Sequence, residues 1–249
     1  LEGTDLDKLA LSTEKLLAGT DSKITTVGYY CNPIQYAEHR KTLENVICTA
    51  GKFGATHVST FAGAWEGKPV ESAYEEFGKV FRELADLAEE KGVKLGIENC
   101  LMDGTWEHAT CNIGFNPKAW EVMFEEVKND NFGLEWEPTH QMVQLIDPVT
   151  ELRKWCKKIV HIHGKDATID WDAVRHSGIS GAVPFVWHRM PGFGDTNWRD
   201  IISILRSNGY EDDICIEGYH DPVYSGELEM TGQLHALNYL KSVSYTHLR

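Results

Sequence analysis

The sequence predicts an α/β fold, a (β/α)8 barrel that lacks its first strand. Two observations carry this. Short β-rich apolar runs alternate with amphipathic helical stretches along the whole chain. No glycine-rich phosphate loop of the GxGxxG or Walker type follows the first strand, which disfavours the runner-up, an open doubly wound sheet.

Seven runs read as strands: 24–30, 56–61, 93–98, 132–137, 159–163, 185–188 and 214–217. Each is rich in Val, Ile, Phe or Tyr and bounded by Gly, Pro, Asn or Asp. Between them lie helical stripes, the clearest at 70–91, where Ala73, Phe77, Val80, Phe81, Leu84, Leu87 and Ala88 share one face and Gly92 ends the run. Further stripes run over 36–53, 117–127, 148–157, 198–207 and 227–240. Asn116-Pro117 and Asp147-Pro148 mark two starts, a cap followed by a first-turn proline. A helix at 5–17 precedes the first visible strand, so an eighth strand is expected upstream of Leu1. Its loss would leave a gap between the 24–30 and 214–217 strands. Residues 1–241 then form one domain, truncated at its N-terminus. Residues 242–249 read either as a non-native tail or as a frayed C-terminus.

Composition narrows the function. The chain has 249 residues, 24 basic against 38 acidic, for a net charge of -14. No basic run is longer than two residues, as at Lys157-Lys158, which argues against a nucleic-acid partner. No apolar run reaches the roughly 18–20 residues of a membrane helix. The six cysteines form no CxxC pair, there is no Asn-x-Ser/Thr sequon, and no signal peptide begins at Leu1. Reduced thiols in a cytoplasm are the simpler expectation.

The chemistry concentrates at strand ends. Glu98, Glu137, His163 and Glu217 each close or follow an apolar run, and in a parallel barrel all such ends emerge on one face. Alone, each Glu also reads as a solvated loop residue and His163 as a core histidine. Together, three carboxylates and one imidazole make a mixed oxygen and nitrogen site suited to Mn²⁺, Mg²⁺, Co²⁺ or Zn²⁺. Glu135 competes with Glu137, because strand alternation puts both on one face. Tyr29, Tyr30, Trp65 and Trp136 lie near strand ends and offer an apolar wall to a site there. Trp120, Trp155 and Trp198 sit on helix stripes as packing residues.

The runs GIENC (96–100), EPTH (137–140), HIHGKD (161–166), RMPGFGDTNW (189–198) and CIEGYHDP (215–222) resemble the sugar phosphate isomerase/epimerase family. GYYCNP (28–33) and TFAG (60–63) resemble its early strands. This group of xylose-isomerase-like TIM barrels includes ketose 3-epimerases and inosose isomerases, and the resemblance covers about residues 24–241. It implies one divalent cation, Mn²⁺ first among the candidates, held by Glu98, Glu137, His163 and Glu217. The family's second ligand is normally Asp. Here Glu137 reaches further by one methylene, about 1.5 Å.

The implied reaction is proton abstraction next to a carbonyl through an enediolate, with Glu98 and Glu217 as base and acid. The resemblance assigns His140 to a substrate oxygen, and Lys165 and Arg189 are candidates for substrate oxygens or for the intermediate's charge. Against this, Lys165 and Asp166 also read as a mutual pair, and Arg189 as an anchor for the turn at 191–195. The expected substrate is a small sugar or cyclitol, with no nucleic-acid or membrane partner, and the sequence leaves a homo-oligomer open. The alternative outcome on the same residues is a metal-dependent lyase or dehydratase, eliminating from a 3-keto-glycoside or keto-inositol. A DNA-repair endonuclease would need about three zinc ions, many more histidine ligands and a less acidic chain. A non-enzymatic barrel with a vestigial site is the remaining class.

Overall fold

Both helix starts that the sequence marks by a cap and a proline are built that way. Asn116 Oδ1 accepts from the Lys118 N–H at 3.0 Å before α4 (Pro117–Glu126). Asp147 Oδ1 accepts from the Val149 N–H at 2.9 Å before α6 (Pro148–Trp155). Each side chain satisfies a donor that the first turn would otherwise leave without a partner. The computed structural model describes residues 3–245, arranged as two compact units, Leu1–Glu135 and Trp136–Arg249.

In the first unit, α1 (Leu6–Leu17) comes before any strand. Then follow β1 (Thr26–Gly28), α2 (Ala37–Thr49), β2 (His57–Thr60), α3 (Tyr74–Glu90), β3 (Lys94–Glu98), α4 and β4 (Phe132–Trp136). The strands pair in parallel and in sequence order, with Thr26 opposite His57, Val58 opposite Leu95 and Glu98 opposite Glu135. Parallel neighbours require crossover connections, and the helices supply them. The apolar stripe of α3 buries Phe77, Val80, Phe81, Leu84 and Ala88. Phe77 stacks on Phe81 at 4.6 Å between ring centroids, and Phe81 meets Phe132 of β4 at 6.0 Å. Each fully buried phenylalanine contributes about 1.5–3 kcal/mol. Gly92, at φ 70, ends this helical segment in the left-handed conformation that a glycine adopts without strain.

The second unit contains α5 (Pro138–Met142), α6, β5 (Ile159–Gly164), β6 (Asp166–Ile169), α7 (Trp171–Ser177), β7 (Val186–Arg189), α8 (Trp198–Ser207), β8 (Ile214–Ile216) and α9 (Glu229–Tyr245). β5 and β8 are parallel, with His163 opposite Cys215. β6 and β7 form an antiparallel ribbon, with Asp166 opposite Arg189 and Ala167 opposite His188. No helix among the described residues is long and apolar enough to cross a membrane.

Two expectations are corrected. The described residues hold eight paired strands and not seven, because β6 follows β5 across Lys165 with no turn residue to separate them. The 185–188 run pairs antiparallel with β6 and is not one of the parallel strands. Residues 242–245 are helical and continue α9. The spacing of Ala236, Leu240 and Val243 keeps them on one buried stripe, and the Ser244 hydroxyl donates to the Leu240 carbonyl at 2.7 Å. Residues 246–249 lie outside the described ones.

Candidate active site

Glu137 looks in sequence like a third cap, since it precedes Pro138 as Asp147 precedes Pro148. It occupies the N-cap position of α5 with extended backbone, yet its side chain makes no capping hydrogen bond. A glutamate is one methylene too long for that role, and this one turns into a buried cluster of the second unit. Its Oε1 lies 3.3 Å from His140 Nε2 and 3.8 Å from Lys165 Nζ, and its Oε2 lies 3.6 Å from His163 Nδ1.

Glu217 arrives from β8. Its N–H donates to the Gly164 carbonyl at 3.1 Å, which carries the parallel ladder one residue past the strand and places the side chain beside Lys165. Lys165 Nζ donates to Glu217 Oε1 at 3.0 Å, and Glu217 Oε2 lies 3.2 Å from His163 Nδ1. The Lys165 side chain is only 3% exposed. Glu137, His163 and Glu217 each present one ligand atom, all within 4.8 Å of one another.

The electrostatics suit a cation. Within this unit two carboxylates face one ammonium, which leaves the cluster short of positive charge where burial makes the shortfall expensive. Glu217 Oε2 is buried and accepts no hydrogen bond among the described residues. Oxygen and imidazole donors of this kind fit a divalent ion. Burial acts to raise the Glu137 carboxyl, but His140, Lys165 and His163 outweigh it and hold it below the usual carboxylate range. Burial pushes the His140 imidazole below its ordinary value.

The other candidates resolve differently. Lys165 and Asp166 each bond to other partners. The Asp166 carboxylate accepts the N–H groups of Ala167, Gly192 and Thr196 at 2.9, 3.0 and 2.9 Å, so it fastens the 190–196 turn. A side chain at Gly194 would strike the Asp166 carboxylate and the Ala167 carbonyl, which is why that turn position is glycine. Arg189 Nε lies 3.4 Å from Asp221 Oδ2, and its guanidinium sits 5.8 Å from the Phe193 ring centroid, so it is held at the same turn. Trp136 is fully buried and donates to Gln141 Oε1 at 2.9 Å; it packs and offers no wall to a sugar ring.

In the first unit, Glu98 ends β3 and is 7% exposed. Glu135 accepts from the Tyr30 hydroxyl at 2.9 Å. The alternation that makes Glu135 and Glu137 equivalent stops with β4 at Trp136, so the two carboxylates have different surroundings. Trp65 is half-buried in the same unit. The residue that sequence reasoning missed is His188, whose ring lies 6.4 Å from that of His140. Its signal is weak, a single histidine on a four-residue ribbon strand. A separate cavity of about 610 Å³, lined by residues such as Ile146, Val149 and Trp171, contains none of the cluster residues.

Residues 5–243 match the sequence model of the xylose isomerase-like TIM barrel family. An inosose dehydratase of Clostridium tetani is 26% identical over 170 residues, which is 66% of this chain and 54% of that protein. The chain spans about half the length of that protein and of a second curated relative, the inosose dehydratase of Histophilus somni. Among solved structures, the IOLI protein with a bound zinc atom superposes with a TM-score of 0.67 at 21% identity, covering 98% of this chain and 81% of that one. The 3-keto-D-glucoside 4-epimerase YcjR of E. coli gives 0.69 at 13% identity, covering 95% and 86%. The named relatives include both dehydratases and epimerases.

Proposed function

The chain belongs to the xylose isomerase-like TIM barrel family, and from that premise we propose that it abstracts a proton next to the carbonyl of a keto-sugar or keto-cyclitol, with one divalent cation bound. The observation that carries this reading is the cluster of His163 and Glu217 around the buried Glu137, with the Lys165 ammonium 3.0 Å from Glu217. Glu137, His163 and Glu217 would hold the cation. Glu98, by its place at the end of β3 and its resemblance to the family's first ligand, is the proposed fourth. Mn²⁺ remains the first candidate, and the zinc of the IOLI structure supports Zn²⁺ as the alternative.

A divalent ion held there polarises a carbonyl as a Lewis acid. The proton moves through this chain's own groups. Glu98 takes it from the carbon next to the carbonyl, leaving an enediolate on the substrate. Glu217 returns a proton at the opposite face or at the neighbouring carbon, which gives an epimer or an isomer. Its Oε1 is shared with Lys165, so the pair acts as one proton store. His140, whose imidazole burial pushes below its ordinary value, holds a substrate oxygen.

Lys165 also supports the lyase outcome. An ammonium beside Glu217 can protonate a departing hydroxyl: the carbon–oxygen bond two atoms from the carbonyl breaks, water leaves and a conjugated ketone remains. The inosose dehydratase relatives support the same outcome.

The test is incubation of protein loaded with Mn²⁺ or Zn²⁺ in D₂O with ketoses, keto-inositols and 3-keto-glycosides. An epimer carrying one deuterium supports the isomerase, and a product lighter by one water supports the lyase. Absence of both deuterium exchange and water loss across the panel overturns the proposal.

A further inference from the structure

We propose that His188 is a substrate-binding residue, its imidazole hydrogen-bonding to a ring hydroxyl beside the oxygen that His140 holds. This rests on the proposed function and adds a specificity contact that the ligand set does not supply.

Three observations carry it. The antiparallel register sets His188 opposite Ala167, two residues beyond Lys165, so the ribbon brings β7 back alongside the segment that carries the proton store. The ring lies 6.4 Å from His140 and 5.7 Å from His220, forming a group of three imidazoles within the second unit. Its Nδ1 is buried and has no hydrogen-bond partner among the described residues. Leaving such a nitrogen unpaired in a buried setting is costly, and a bound hydroxyl removes that cost.

The surroundings keep the ring suited to the task. Burial first, then Lys165, His140 and His220, push the His188 imidazole down to about 4. At neutral pH it therefore has one donor and one acceptor nitrogen, which is what a hydroxyl requires. The neighbouring His220 is held at φ 70, in the left-handed region. Asp221 fixes that corner, its carboxylate accepting the N–H groups of Met190, Val223 and Tyr224 at 2.7, 2.8 and 2.8 Å. The group is preorganised before any substrate arrives.

The probe is 2-keto-myo-inositol, titrated into the Mn²⁺-loaded protein for turnover and into the Zn²⁺-loaded, ¹⁵N-histidine-labelled protein for NMR, followed by whichever panel substrate is turned over fastest. The His188 ring ¹⁵N resonances should shift on saturation while those of His176, on α7, stay in place. His188→Phe should raise KM about 10-fold, the worth of one hydrogen bond, with kcat changed less than threefold. His188→Asn, which keeps a donor and an acceptor, should recover part of the loss and serves if the Phe variant does not fold. Unmoved His188 resonances together with a wild-type KM in both variants would overturn the assignment while leaving the proposed function intact. A wild-type protein that neither binds nor turns over any panel compound removes both.

Discussion

Lys165 Nζ and Glu217 Oε1 lie 3.0 Å apart across 52 residues of sequence. That bond ties the segment after β5 to the segment after β8. It also places the second unit's one cluster ammonium against the carboxylate proposed to carry the proton.

Lys165→Met keeps much of the side-chain volume and removes the charge. It should lower kcat by about 10²–10⁴-fold, the range for a general acid–base group. Bound metal should be retained or increased, because Glu137 and Glu217 lose a competing cation. Elemental analysis beside kcat measures both, and a variant at wild-type rate removes Lys165 from proton transfer.

Glu217→Gln and His140→Ala separate the two proposed roles. The amide keeps the shape and one oxygen donor but accepts no proton, so turnover should fall by about 10²-fold or more while metal binding weakens less. His140→Ala should leave the metal in place and impair steps of the bound substrate. The decisive readout is the ratio of metal content to kcat in each variant, and equal losses of both in Glu217→Gln would assign that residue to the metal alone.

Acid should destabilise the fold partly through His188. Its folded value of about 4 lies below the ordinary value of 6.5, so the unfolded chain takes up the proton first. The stability it contributes is therefore complete above about pH 6.5 and is lost as pH falls toward 4. His140, also lowered by burial, acts with the same sign. In metal-free protein, melting temperature should fall from pH 7 to 4.5, and His188→Asn should flatten that slope. Parallel slopes in the two proteins would show that His188 titrates normally.

Asp166→Ala strands three backbone donors, those of Gly192 and Thr196 on one turn and that of Ala167 beside it on β6. Charge-assisted hydrogen bonds of this kind are worth about 1.5–3 kcal/mol each and are not additive, so a total loss of about 3 kcal/mol is expected. In a chain of this size that lowers the melting temperature by roughly 6–12 °C. Calorimetry checks it, and a change below about 2 °C would mean that the turn holds itself.

What the sequence determined by itself is what short stretches encode. Asn116 and Asp147 cap because a short polar side chain before proline meets the free donors of a first turn, all within three residues. The stripe of α3 and its stop at Gly92 follow from helical period and from glycine's freedom at φ 70. Strand ends bearing Glu98, Glu137, His163 and Glu217 were legible for the same reason, since apolar runs and the residues that close them are contiguous.

Tertiary structure alone decided the pairings that span the chain. Glu135 and Glu137 are equivalent by alternation, and only the end of β4 at Trp136 puts Glu137 at the head of α5, with its carboxylate beside His140. Lys165 and Asp166 are adjacent and opposite in charge, yet each also bonds to a partner far away in sequence. The ammonium serves a buried carboxylate, and Asp166 collects three backbone donors that burial would otherwise strand. The β6–β7 ribbon, and with it His188, was invisible because antiparallel pairing between residues 17 or more apart leaves no mark in either strand. Desolvation sets these choices. A buried polar group takes whichever partner the fold delivers, and sequence spacing does not specify which one that is.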